Sequence, residues 1–249
     1  MVKRISFFLA GLFLVLTLFS VVNFAYPSKK IRLQQENHPP IVKIISPKNN
    51  SLYKWDVPMN YTITVSDQED GESKFDEISA NEVFLEVRYL ADTSKVAIIL
   101  NSANSSPPGL AAIRTSNCLN CHAFNTKLIG PSFYEINKRY SNIKTNKELL
   151  EKHIREGSTG VWGTVTMPTH QELTREETQK MVDWIFKNGA EQDVSYYRGT
   201  EGSFRIKPPV AAQRKGFLVL IATYTDHGTK DKPKQNLRVT DAIILKTGS

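Results

Sequence analysis

The only cysteines in this 249-residue chain lie in Cys118-Leu119-Asn120-Cys121-His122. Two thiols three positions apart, followed directly by a histidine, form the CxxCH spacing of c-type haem attachment. On one helical turn both sulfurs can add to vinyl groups of the same porphyrin, and the next residue reaches the iron from the same face, making His122 a proximal ligand. A CxxC pair is also the spacing of a redox dithiol or of half a zinc site. Zinc calls for four protein ligands in a closed site, and no second cysteine pair exists. A thioredoxin-like dithiol calls for a βαβ context, and none is readable here.

Downstream come Lys127-Leu128-Ile129-Gly130-Pro131, then Gly160-Val161-Trp162-Gly163, then Met167-Pro168. With the CxxCH pentad, this series resembles the class I (mono-haem) bacterial cytochromes c, over about a third of the chain. The resemblance implies that Gly130 and Pro131 form the turn against the proximal histidine, with the Pro131 ring packing on the imidazole and its carbonyl accepting the imidazole N–H. It implies Met167 as the distal iron ligand. Trp162 matches a tryptophan that in related short cytochromes donates its indole N–H to a haem propionate, and ordinary packing is the competing role. The other methionines fit a ligand role badly: Met1 is the initiator, Met59 lies in a strand-like run, and Met181 lies on an apolar helix face. His170 reads as a surface loop residue aimed outward, and His153 as a mid-helix residue that packs or faces solvent.

Elements must hold these groups. Ser132 with Glu135, Thr145 with Glu148 and Thr174 with Glu177 are three capping boxes, each predicting a helix start, and Gly157 predicts the stop of the second. Met181, Trp184 and Ile185 form an apolar stripe at helical spacing. The resemblance implies that this last helix crosses the one before CxxCH, whose Leu110, Ala111 and Ile113 offer the facing side. The all-α haem domain is expected over 106–192.

The sequence on both sides is β-rich. Ile41 to Ser46, the alternating run Met59, Tyr61, Ile63 and Val65, the run Val83, Leu85, Val87 and Tyr89, and Val96 to Leu100 read as strands before the haem domain. Phe204 to Ile206, Phe217 to Tyr224 and Val239 to Leu245 read as strands after it. The stretch from Lys215 to Asp226 resembles the penultimate strand of an immunoglobulin-like or PKD-like sandwich, and Asn236 to Lys246 its last. Neither half supplies enough strands for a two-sheet core, whereas together they approach seven. The fold expected is therefore multi-domain α and β: a haem domain inserted into one all-β immunoglobulin-like sandwich, built from 38–105 and 196–249, with Asn101–Pro108 and Glu191–Gly202 as polar joints. Two small independent β units are the alternative. An acidic first part and a basic second part would attract each other.

Lys3 and Arg4 precede a charge-free apolar run from Ile5 to Ala25, long enough to cross a bilayer. The segment 1–27 reads as a signal anchor, or as a signal peptide cut near Ala25-Tyr26. Lys29, Lys30 and Arg32 follow the run, so the positive-inside rule leaves orientation open. The resemblance puts the body on the periplasmic side. Asp67, Glu69, Asp70, Glu72, Asp76 and Glu77, with Gly71, form an acidic loop that is either solvated or a calcium site. The formal net charge of +7 is dispersed and accompanies no nucleic-acid motif, which argues against a nucleic-acid partner.

The function expected is one-electron transfer through a covalent His/Met-ligated haem c, with a dehydrogenase, by resemblance a quinoprotein, or a terminal oxidase as redox partner. Met167 in the distal position argues against a peroxidase or other haem enzyme. A cell-envelope binding module, with the haem domain as an accessory relay, is the rival class.

Overall fold

The computed structural model describes residues 36–103, 106–191, 193–207, 215–232 and 235–248. The expected N-terminal span, 1–27, lies outside the described residues. Among those described, no helix is long and apolar enough to cross a membrane.

Strands β1 (Ile41–Ser46), β2 (Leu52–Lys54), β3 (Met59–Asp67), β4 (Gly71–Glu72) and β5 (Phe84–Leu90) come first, then α1 (Val96–Ala103). Four helices follow: α2 (Pro108–Thr115), α3 (Phe133–Arg139), α4 (Lys144–Glu156) and α5 (Arg175–Asn188). The chain ends in β6 (Val194–Arg198), β7 (Glu201–Phe204), β8 (Phe217–Thr225) and β9 (Arg238–Gly248).

Strands from the two ends of the chain interleave. One sheet pairs β3 with β1, β4 and the late strand β7, and the other runs β2-β9-β8-β5-β6. Strand period 2 sends alternate side chains to opposite faces. Accordingly Tyr61, Ile63 and Val65 of β3, Leu85 and Val87 of β5, and Leu218, Leu220 and Tyr224 of β8 enter one shared buried cluster. Tyr53 closes its end: its hydroxyl donates to the Ile206 carbonyl at 3.0 Å and accepts the Ile206 N–H at 2.6 Å.

Several local expectations change. Val96–Leu100 is not a strand but the first part of α1. An uninterrupted apolar run fits either period, and here Val96, Ile99 and Leu100 form a stripe that covers Leu90, Val219 and Ile221 on the outer face of the second sheet, leaving Ile98 68% exposed. The Thr145/Glu148 capping box does not form: the N-cap of α4 lies two residues earlier, on Ile143 without a side-chain cap, while Lys144 and Glu148 make an exposed i, i+4 pair. The boxes at Ser132 and Thr174 both form. Glu191–Gly202 is not a simple joint, since it holds all of β6 and the start of β7, and β6 pairs with β5, Val194 opposite Arg88. β7 ends at Phe204, so Ile206 follows the strand.

In the acidic loop the carboxylates bind protein donors. Asp67 accepts the backbone N–H groups of Glu69 and Asp70, Asp70 accepts the Tyr224 hydroxyl and the His227 N–H, Glu69 holds His38, and Glu77 accepts the Glu72 N–H. Among the described residues no group of three or more His, Cys, Asp or Glu side chains is disposed to hold a metal ion. These bonds turn the chain between β3 and β5, and the calcium expectation has no ligand cage behind it.

Candidate functional site

The helical region is organised by the crossing of α2 and α5. Pro108 suits the first turn of α2, where its missing N–H is no loss. A Cβ on Gly109 would lie 2.1 Å from the Lys180 carbonyl oxygen, so only glycine lets the two backbones approach this closely. Leu110 and Ile113 then bury against Met181, Trp184 and Ile185.

Beyond α2 the chain turns at Asn117, which takes a left-handed φ of 59°, into a 3-10 turn over Cys118–Asn120. The Cys118 carbonyl accepts the N–H groups of both Cys121 and His122, at 3.2 and 2.9 Å, fixing the pentad as one unit. The His122 ring is buried. Its Nδ1 stands 2.7 Å from the Pro131 carbonyl oxygen, which can only accept, so Nδ1 carries the proton and Nε2 keeps its lone pair. Phe133 stacks beside the ring at 5.8 Å, and a Cβ on Gly130 would lie 2.6 Å from its Cε1. The turn therefore fits the imidazole only as glycine.

Met167 arrives from a different direction. After α4, Gly157 takes φ +81° and the chain folds into a narrow loop in which Ser158 and Met167 exchange backbone hydrogen bonds at 2.8 and 3.2 Å. A Cβ on Gly157 would meet the Met167 carbonyl oxygen at 2.8 Å. At the loop tip the Arg139 guanidinium lies 4.5 Å from the Trp162 ring centroid and donates to the Val161 carbonyl at 3.0 Å, while Tyr140 meets the indole edge-on.

These segments enclose one cavity. Cys118, Cys121, His122, Pro131, Trp162 and Met167 all line it, among the apolar side chains Ile113, Phe133, Ile136, Leu150, Ile154, Met181 and Ile185. Burial pushes the Cys118 thiol up to about 11, so the wall disfavours a thiolate and accepts an uncharged sulfur. Burial also holds His122 below the usual imidazole range, with the Pro131 bond only partly opposing it, so the ring stays neutral.

His170 is not aimed outward. Its N–H bonds the Ile154 carbonyl at 3.0 Å, which turns the loop back over α4, and its side chain, 18% exposed, lines the cavity with Nδ1 2.8 Å from Glu172. His153 lines it as well. Sequence reasoning missed Arg139, whose grip on the Trp162 loop has no local signature beyond a basic residue in a last helical turn.

The family profile described as Cytochrome c matches residues 108–188. Cytochrome c-552 of Hydrogenobacter thermophilus is 34% identical over 85 residues, covering 31% of this chain and 86% of that protein. Cytochrome c-551 of Stutzerimonas stutzeri is 32% identical over 77 residues, covering 31% of this chain and 73% of the relative. The chain belongs to the cytochrome c family. The crystal structure of wild-type Nitrosomonas europaea cytochrome c552 is also similar, at 29% identity and a TM-score of 0.30, over 31% of this chain and 96% of that one. Membership of the cytochrome c family implies covalently bound haem c, and the residues present suit it. A neutral imidazole with a free Nε2, a glycine cradle under the ring, sulfurs in an apolar wall and a large apolar cavity are what a covalently attached, axially ligated porphyrin requires. The Pro131 contact orients and polarises the ring through Nδ1.

Proposed function

We propose that this cytochrome c is an electron carrier with one haem c, joined to Cys118 and Cys121 and ligated by His122 and Met167. The observation that carries the reading is the His122 arrangement: Nδ1 is committed to the Pro131 carbonyl, leaving Nε2 as the free nitrogen of a buried neutral ring in the cavity that Met167 also lines. When bound, haem supplies reversible one-electron exchange. The chain supplies the rest. Pro131 and Gly130 fix the imidazole plane, and the Ser158–Met167 bridge fixes the thioether loop. The apolar wall excludes water, so little solvent reorganises as charge changes. Trp162, clamped by Arg139, closes one end of the cavity as a packing residue or a propionate donor. A thioether ligand favours the ferrous state relative to a second histidine.

The exposed side chains of Ile129 and Val165, 56% and 60% accessible, also line the cavity and offer a small apolar rim for a redox partner. Such encounters are small and weak, which keeps exchange fast. A periplasmic dehydrogenase as donor and a membrane oxidase as acceptor fit this role, with 1–27 as anchor. The two sheets are read as one immunoglobulin-like sandwich interrupted between β5 and β6 by the haem domain, in support of which stands the shared apolar cluster drawn from both ends of the chain.

The test is the absorption spectrum of the full chain produced in a host competent for haem attachment. The expected result is a covalent c-type spectrum with a methionine-to-iron band that vanishes in Met167→Ala. A colourless protein, or an unchanged band in that variant, overturns the reading.

A further inference from the structure

The segment bearing the attachment residues is gripped by a strand that lies outside the matched family region. Arg198, at the end of β6, donates through Nη1 to Asn120 Oδ1 at 2.6 Å and approaches Asn117 Oδ1 through Nη2 at 3.5 Å. Its Nε donates to the Asn81 carbonyl at 2.5 Å, which fixes the guanidinium on the two-sheet unit. Asn120 stands between the two cysteines and Asn117 directly before them, and both line the cavity. At the other end of the segment, Asn125 Nδ2 donates to Ser195 Oγ at 2.7 Å. Between these ties the Tyr196 ring meets Phe124 at 5.2 Å and Trp184 at 5.9 Å. One five-residue strand thus holds both ends of the attachment segment and packs into its core.

The hydrogen-bond acceptors of Arg198 are neutral oxygens, and the Glu82 carboxylate acts on it only through space, so these bonds position a positive charge that is offset only in part. A fixed cation beside a redox centre stabilises the state with one fewer positive charge, here the reduced one. We propose that Arg198 is a positioning residue of the haem site: it orders the CxxCH turn through Asn120 and Asn117, and its charge raises the reduction potential. The two-sheet unit is then part of the redox site rather than a passive support. This inference rests on the haem-carrier reading above.

The experiment is potentiometric titration of the haem-loaded full chain at low and high salt, for wild type, Arg198→Gln, Arg198→Lys and Asn120→Ala. Gln keeps a donor and loses the charge, and Lys keeps the charge and loses the planar fork. The expected result is a downward shift for Arg198→Gln, recovery of most of it by Arg198→Lys, and a partial shift for Asn120→Ala, which leaves the charge in place on Asn81 but removes its shorter tie to the CxxCH turn. Because the contact is exposed, the difference between wild type and Arg198→Gln should shrink as salt screens it. Potentials equal to wild type in both Arg198 variants overturn the proposal. If Arg198→Gln does not fold, Asn120→Ala decides alone, an unchanged potential there being the overturning result. Wild-type protein without haem would instead sink the carrier reading, which keeps the two failures apart.

Discussion

The two buried regions are built to different degrees of completeness. The sheets close over a cluster in which Tyr53, Val83, Leu85, Val87, Leu218, Leu220, Ala222, Tyr224 and Leu245 have no accessible surface, and the polar group at its end, the Tyr53 hydroxyl, is satisfied by Ile206. The helices instead wrap a cavity: Ile113, Met181 and Ile185 turn one side to the packed cluster and line the hollow as well. Haem c, which membership of the cytochrome c family implies, would supply the dispersion contacts of that apolar wall. The sheet core is a finished product of the polypeptide, whereas the helical core is built around its cofactor.

Removing both attachment sulfurs gives the largest expected effect. The Cys118→Ser/Cys121→Ser double variant should lose most helical circular dichroism and amide protection in 108–188, while β5, β8 and β9 stay protected in hydrogen exchange. Uniform loss across both regions would break the comparison. Leu220→Ala attacks the other side. It should cost about 2–5 kcal/mol in the denaturant transition of the sheets, with the haem spectrum unchanged. Gly130→Ala is its counterpart: the methyl group would displace the His122 ring, so the absorption spectrum and haem retention should change while the sheet transition does not. Thr174→Ala removes the α5 cap and should lower helical stability by about 1 kcal/mol.

The smallest effect concerns pH. His227 contacts Asp70 through Nδ1 at 3.1 Å and Glu82 through Nε2 at 3.0 Å, and satisfying both carboxylates requires the doubly protonated ring. Burial opposes that charge, but the bond to Glu82 and the charge of Asp70 outweigh it and raise the pKa above its usual value. A raised folded value means the stabilisation is fully present below the unfolded pKa, near 6.5, and is lost as pH rises through the folded one. The sheet transition should weaken slightly on going from pH 6 to pH 8, and His227→Ala should flatten that slope.

The chemistry of the site was legible because it is written in contiguous residues. CxxCH, Gly130-Pro131 and Met167-Pro168 each act within a short local frame, and so do the caps at Ser132 and Thr174. What was illegible depends on partners far away in sequence. Val96 to Leu100 is apolar at every position, and its packing over Val219 and Ile221, distant in sequence, goes with the helical period. His170 has no local feature that tells a loop turning inward from one turning outward; the bond to Ile154 decides it. β6 was hidden in a polar, Tyr-rich stretch whose alternation serves two unlike faces, Tyr197 towards the shared sheet core and Tyr196 towards the helices.

Strands β5 and β6 pair antiparallel, Val87 opposite Ser195 and Arg88 opposite Val194, with the entire helical region strung between them. In topological terms everything from 91 to 193 is the loop of a single hairpin. Closing a flexible loop twenty times longer than a tight turn costs only about 2.7 kcal/mol, since the penalty grows with the logarithm of length. A folded insert whose ends already sit together costs less. The haem-bearing loop should therefore be exchangeable for a short turn, giving a closed two-sheet protein whose altered unfolding would report how much rigidity the insert returns to its host.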